Sequence, residues 1–160
     1  MTDKSRILVV DDDESIRKAM SMILEDGGYL VDTAATGKEA IEKSNLSFYN
    51  LAFIDIRLPD MEGTRLLNSL KETTPKMVKI ILTGYPSLEN AIEAVNKGAD
   101  GYIIKPTKRD DILNTVKGHL QKQQEAKKYN EEKVKEFIET CAKELESKTG
   151  SSTRRISRGS

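Results

Sequence analysis

Four apolar runs in this chain each end at a polar residue, and that pattern constrains the fold more than any other feature. Ile7-Leu8-Val9-Val10 stops at Asp11-Asp12, Leu51-Ala52-Phe53-Ile54 at Asp55, Val78 to Leu82 at Thr83, and Tyr102-Ile103-Ile104 at Lys105. A short, nearly continuous apolar run is the mark of a strand buried on both faces. If such strands lie side by side and parallel, three carboxylates, one hydroxyl and one ammonium meet at the same sheet edge. That edge would be a cation site with a nucleophilic aspartate beside it.

Helix signals fill the gaps between the runs. Ile16, Met20, Ile23 and Leu24 recur at helical spacing before Gly27-Gly28 stops them. Tyr29 to Thr33 is a short β-prone segment. Thr36 and Glu39 form a capping box that opens a second helix through Ile41. Pro59-Asp60-Met61-Glu62-Gly63 is turn chemistry, followed by a helix around Leu66, Leu67 and Leu70. Ser87 caps a helix containing Leu88, Ala91, Ile92 and Val95, with Gly98 at its stop. Thr107 and Asp110 suit the start of a fifth helix. Five strands alternating with five helices predict a three-layer α/β domain built on a parallel sheet. In such sheets ligands bind beyond the carboxyl ends of the strands, at the switch point, which is where the polar residues fall.

Composition narrows the function classes. The 160 residues carry 26 Lys and Arg against 26 Asp and Glu, so no global field favours nucleic acid or a membrane surface. The balance hides an asymmetry: residues 1–120 hold 16 basic and 19 acidic side chains, and residues 121–160 hold 10 and 7. Cys141 is the single cysteine, which fits a reducing compartment. No apolar stretch is long enough to span a bilayer, and no signal peptide opens the chain. The expectation is a cytoplasmic protein with no membrane contact and no direct nucleic-acid binding. The lone His119 has no partner for a metal site, and no Gly-rich phosphate loop, zinc spacing or Ser-His-Asp pattern is visible.

The strand-end residues suit phosphoryl capture. An aspartate such as Asp55 can form an aspartyl-phosphate, provided the charge on the phosphoryl oxygens is neutralised. Mg²⁺ held by one or two carboxylates does this, and Asp11 and Asp12 supply them. Asp13 and Glu14 read instead as helix N-terminal residues that complement the dipole. Lys105, directly before Pro106, can pair with Asp55 before reaction and with a phosphoryl oxygen after it. Thr83 can hydrogen-bond a newly installed phosphoryl oxygen, with Gly84 leaving room beside it. Its inward movement would open space for Tyr102, a local charge event biasing a two-state element.

The segments ILVVDDDESIR, LAFIDIRLPDMEGTRLL, KIILTGYPS and GADGYIIKP resemble, in order and spacing, the signature segments of the receiver domain of two-component response regulators. The resemblance covers residues 5 to about 120. It implies a flavodoxin-like fold with strand order 2-1-3-4-5. It implies Asp55 as phosphoacceptor from the phosphohistidine of a sensor histidine kinase, and Mg²⁺ held by Asp11, Asp12, Asp55 and the backbone carbonyl of Arg57. It also implies Thr83 and Tyr102 as the switch pair and Lys105 as the lysine of the site. The side chain of Arg57 occupies a position that the family leaves variable, and it is expected to alter water access and hence phosphoryl lifetime.

The domain reading is a receiver over 1–120, a helical extension over 121–148 and a disordered tail over 149–160. In the extension, Val134, Ile138, Cys141 and Leu145 form a short apolar seam. It reads equally as a local coiled coil or as an amphipathic helix packing on its own domain or a partner. Arg154-Arg155-Ile156-Ser157 matches a kinase site only at the level of chance. The leading expectation is a signalling module without turnover beyond self-catalysed phosphotransfer and dephosphorylation. Phosphorylation would reshape the face made by the fourth helix, fifth strand and fifth helix, changing binding of a downstream protein or self-association, there or through the C-terminal helix. Two alternatives stand beside it. One is an aspartate-nucleophile phosphatase resembling the haloacid dehalogenase type, which needs an acid/base residue where Arg57 stands. The other is a structural oligomeriser with a silent receiver.

Overall fold

The computed structural model describes residues 4–159, with side chains through Lys148. Strands and helices alternate along the chain: β1 (Arg6–Val10), α1 (Glu14–Asp26), β2 (Leu30–Ala34), α2 (Gly37–Leu46), β3 (Leu51–Asp55), α3 (Gly63–Leu66), β4 (Val78–Thr83), α4 (Leu88–Asn96), β5 (Gly101–Ile104) and α5 (Arg109–Gly159). The five strands form one sheet in the order β2-β1-β3-β4-β5, and every pairing is parallel. This is the flavodoxin-like order implied by the sequence resemblance.

Alternation along the central strands builds two cores from one sheet, because successive side chains point to opposite faces. Leu8, Val10, Ala52, Ile54 and Ile81 pack with Leu66, Leu67 and Leu70 of the α3 region and Ala94 of α4. Ile7, Val9, Leu51, Phe53, Ile80 and Leu82 pack with Met20 and Leu24 of α1 and with Ile112 and Val116 of α5. Phe53 is fully buried; truncating such a side chain to Ala typically costs about 3–5 kcal/mol.

The helix starts are specified locally. Asp13 accepts from the Ser15 and Ile16 amides, Thr36 from the Glu39 amide, and Ser87 from the Asn90 amide, each cap contributing about 1 kcal/mol. The Glu39 carboxylate reaches back to the Ala35 amide at 3.0 Å. That is one residue earlier than a capping box requires, and this backbone hydrogen bond, ahead of the Lys43 ammonium, holds its carboxyl below the usual range. α4 stops where Gly98 takes φ +95°, a left-handed conformation that a β-carbon disfavours. α3 is shorter than the leucine spacing suggested. Only Gly63–Leu66 is helical, yet Leu66, Leu67 and Leu70 are all buried. The Ser69 hydroxyl donates to the Arg65 carbonyl, competing with the backbone donors that would extend the helix.

Residues 1–123 form one compact unit and residues 124–160 a second. Within the second, Val134, Phe137, Ile138 and Leu145 are exposed, and the Lys133 ammonium lies 5.7 Å from the centre of the Tyr129 ring. The expectation of a disordered tail over 149–160 falls on side chains outside the described residues; the backbone of α5 is assigned to Gly159.

Candidate functional site

Parallel register brings the strand ends together as the sequence predicted. Val10 pairs with Ile54 across β1 and β3, so Asp11 and Asp55 leave adjacent strands at the same level. Asp55 pairs with Leu82, one residue before Thr83, and Thr83 pairs with Ile104, one residue before Lys105. Carboxylate oxygens of Asp11, Asp12 and Asp55 all lie within 4.8 Å of one another. Asp11 is buried, Asp55 is half-buried and Asp12 is exposed, so solvent reaches the cluster at Asp12.

Lys105 supplies the counter-charge. Its Nζ is 2.7 Å from Asp11 Oδ2 and 3.6 Å from Asp55 Oδ2. The sequence reading paired Lys105 with Asp55; the structure makes Asp11 the closer partner, because Asp11 is the more deeply buried carboxylate and has the greater need of a counter-charge. The Lys105 amide donates to the Thr83 carbonyl at 2.7 Å, and the Lys105–Pro106 peptide is cis. Asp11 also accepts from the Asp13 amide at 2.9 Å. Asp13 itself caps α1 and stays outside the cluster, as the sequence predicted.

Burial, and then the neighbouring Asp11 carboxylate, push the Asp55 carboxyl above the ordinary aspartate range. Lys105 and the Arg57 amide pull it back, and Asp12 adds to the rise. A carboxyl in that position is one whose charge lacks compensation. Three clustered carboxylates set against one ammonium therefore have the composition of a divalent-cation site with hard oxygen ligands.

The loop after β3 is pressed against this site. A Cβ on Gly63 would fall 2.1 Å from the Asp55 carbonyl oxygen, and the Gly63 amide donates to the Ile56 carbonyl at 2.7 Å. Only a glycine permits that approach. Within the loop, Asp60 accepts from the Gly37 and Lys38 amides at 2.8 and 2.9 Å. Those two hydrogen bonds hold its carboxyl below the usual range and tie the loop to the start of α2.

Thr83 is fully buried, and its Oγ1 accepts from the Tyr85 amide at 3.0 Å. Gly84 leaves space around it, the nearest atom to an added Cβ being Lys105 Cδ at 4.0 Å. Tyr102 packs against the core, and its buried hydroxyl has no hydrogen-bond partner among the described residues. His119 is half-buried on α5 near Gly101 and takes no part in the cluster.

Arg57 and Tyr85 add a feature that was not read from the sequence. The Arg57 guanidinium lies 4.4 Å from the centre of the Tyr85 ring, and the Arg57 amide approaches Asp55 Oδ1 at 3.4 Å. The signal was present: Arg57 and Tyr85 each stand two residues beyond a strand-end site residue, on adjacent strands. Together they form a cation–π pair within the loops that follow Asp55 and Thr83.

A family model for the response regulator receiver domain matches residues 7–117. A CheY-like response regulator receiver domain protein from Methanospirillum hungatei JF-1 is 47% identical, with a TM-score of 0.74 covering 78% of this chain and 99% of that one. The beryllofluoride-activated NtrC4 receiver domain dimer is 38% identical, with a TM-score of 0.69 over 74% of this chain and 98% of that one. The transcriptional regulatory protein ZraR of Escherichia coli K12 is 36% identical over 118 residues, 74% of this chain and 27% of ZraR. The chain thus spans about a quarter of the length of that curated relative.

Proposed function

Since this chain belongs to the response regulator receiver domain family of two-component systems, we propose that Asp55 accepts a phosphoryl group from the phosphohistidine of a sensor histidine kinase. The observation that carries this reading is the placement of Asp55 between Lys105 and the Asp11–Asp12 carboxylates at one sheet edge. A carboxylate oxygen of Asp55 attacks phosphorus, the P–N bond to the donor breaks, and its electron pair remains on the imidazole. Asp11, Asp12, Asp55 and the Arg57 carbonyl would hold Mg²⁺, whose bound charge offsets that of the phosphoryl oxygens. The Lys105 ammonium already bridges Asp11 and Asp55, so it is positioned to pair with a phosphoryl oxygen as Asp55 gives up its negative charge.

Thr83 and Tyr102 then read out the modification. The Thr83 hydroxyl would exchange its contact with the Tyr85 amide for one with the phosphoryl group, and Tyr102 would settle with it. Tyr102 lies on β5 and packs against the core cluster that includes Ala94 of α4, while Leu88, Ile92 and Val95 of α4 and Ile104 of β5 are exposed. This apolar face is where phosphorylation would control binding of a downstream protein or self-association, with the C-terminal helix as the second surface. The dimeric state of the activated NtrC4 receiver supports self-association. No helix among the described residues is long and apolar enough to cross a membrane, and a cytoplasmic site of action fits this reading.

The phosphatase alternative finds no support at residue 57. A guanidinium holds its protons throughout the accessible pH range, so Arg57 cannot serve as the acid/base. We therefore read the chain as a phosphoacceptor with self-catalysed transfer and hydrolysis, not as a turnover enzyme. Incubation with Mg²⁺ and acetyl phosphate, followed by intact mass measurement, tests it. One added phosphoryl group, absent in Asp55→Asn, is expected. Steady phosphate release without an adduct would refute it.

A further inference from the structure

β4 carries a residue that its burial does not explain. Lys79 is the second residue of a strand whose six members are all buried, and it is itself only 7% exposed. Lysine is almost never buried this deeply without a charged partner. Its Nζ donates to the Leu67 carbonyl at 2.6 Å, and it forms no ion pair among the described residues. Burial, ahead of repulsion from Lys76, holds its pKa below the ordinary lysine value, while Asp100 and Glu72 pull the other way.

Lys79 lines a cavity of about 320 Å³ at the amino end of β4, the opposite end of the strand from Thr83. Lys71, Lys76 and Lys97 line it too, and Glu72 is the one acidic residue in its wall. Lys97 is paired with Glu93 at 2.9 Å; Lys71 and Lys76 are exposed and form no ion pair among the described residues. Lys71, Lys76 and Lys79 thus bring to the cavity three ammonium groups without an ion pair among the described residues, against one carboxylate in its wall, and the Lys79 group is desolvated in advance. Its volume falls in the range of small-ligand sites.

We propose that this cavity is an anion site that takes a small phosphorylated compound, with Lys79 as the buried anchor and Lys71 and Lys76 at the rim. Clustered ammonium groups suit a multiply charged phosphate as point charges, and a desolvated one gains most from acquiring an anionic partner. The site is separate from the Asp55 cluster and does not depend on metal.

The test uses the full chain in EDTA, with pyrophosphate as the probe and sodium chloride at matched ionic strength as the reference. Pyrophosphate at ten times its Kd should raise Tm by about 4 °C and shift the amide resonances of Met77 and Gly98. The same rise is expected in Lys105→Met, which removes the cation of the Asp55 cluster. Lys79→Met, which keeps the aliphatic stem, should weaken binding at least about tenfold, the scale of one charge-assisted contact. Should that variant fail to fold, Lys71→Gln with Lys76→Gln decides: a lost response supports the site and a retained one overturns it. An unchanged Tm in the parent, or an equal rise in Lys79→Met, would overturn the proposal. So would resonance shifts with an oligo-glutamate peptide but none with pyrophosphate, which would identify an acidic peptide as the ligand.

Discussion

Replacing Lys105 by Met removes the only cation that pairs with any of the three carboxylates among the described residues and leaves Asp11 buried with Asp55 beside it. At an effective dielectric of about 20, the 2.7 and 3.6 Å contacts give gross attractions of about 6 and about 5 kcal/mol. Desolvation of the largely buried ammonium and of Asp11 offsets most of that, and breaking such a pair costs about 3 kcal/mol net. For a chain of this size, a urea m-value of about 2 kcal/mol/M turns the loss into a midpoint lowered by about 1.5 M. Equilibrium urea unfolding in EDTA reads it, and adding Mg²⁺ should recover most of the loss, because the ion supplies the missing positive charge. pH adds a second signature. The folded Asp55 carboxyl sits above its unfolded value, so the folded state binds more protons through the window between the two, and stability falls as pH rises across it. Lys105 opposes that elevation, so Lys105→Met should widen the window upward. Equal stability of parent and variant in EDTA, or a loss that Mg²⁺ leaves untouched, would refute the electrostatic account of the cluster.

Other expectations follow from single contacts. Arg57→Ala removes the stack on Tyr85, worth about 0.5–1 kcal/mol, and should shorten the phosphoryl lifetime at Asp55 by about twofold to fivefold. Tyr85→Ala should do the same and the double variant no more; an unchanged dephosphorylation rate in all three would show that the pair does not screen the site. Gly63→Ala puts a carbon 2.1 Å from the Asp55 carbonyl and should cost more than about 3 kcal/mol of stability, read by thermal unfolding; a cost below 1 kcal/mol would mean the loop relaxes away. Deleting residues 124–160 should leave phosphoryl uptake at Asp55 intact, since residues 1–123 form a compact unit, and intact mass after acetyl phosphate treatment checks it.

Much of this architecture was legible because buried parallel strands leave unambiguous apolar runs, and because caps such as Thr36 and Ser87 act over three residues. Strand-end chemistry was legible for the same reason: once Val10, Ile54, Thr83 and Ile104 are placed as strand ends, the topology fixes what meets there. Contacts decided by depth or by neighbouring loops were not. That Lys105 lies nearer Asp11 than Asp55 depends on which carboxylate is more buried. The Arg57–Tyr85 stack depends on two loops on adjacent strands. Lys79 sat inside an apolar run, where periodicity treats one basic residue as noise, and its meaning comes from the cavity beside it.

The hold of Asp60 on the Gly37 and Lys38 amides has a use beyond stability. Those two amides lie 23 and 22 residues before the carboxylate that satisfies them, outside the cluster of acids and outside the apolar face of α4. They are remote spectators of the loop that carries Arg57. Isotope labels at Gly37 and Lys38 would therefore act as a tell-tale for that loop, reporting its state without touching a residue that reacts.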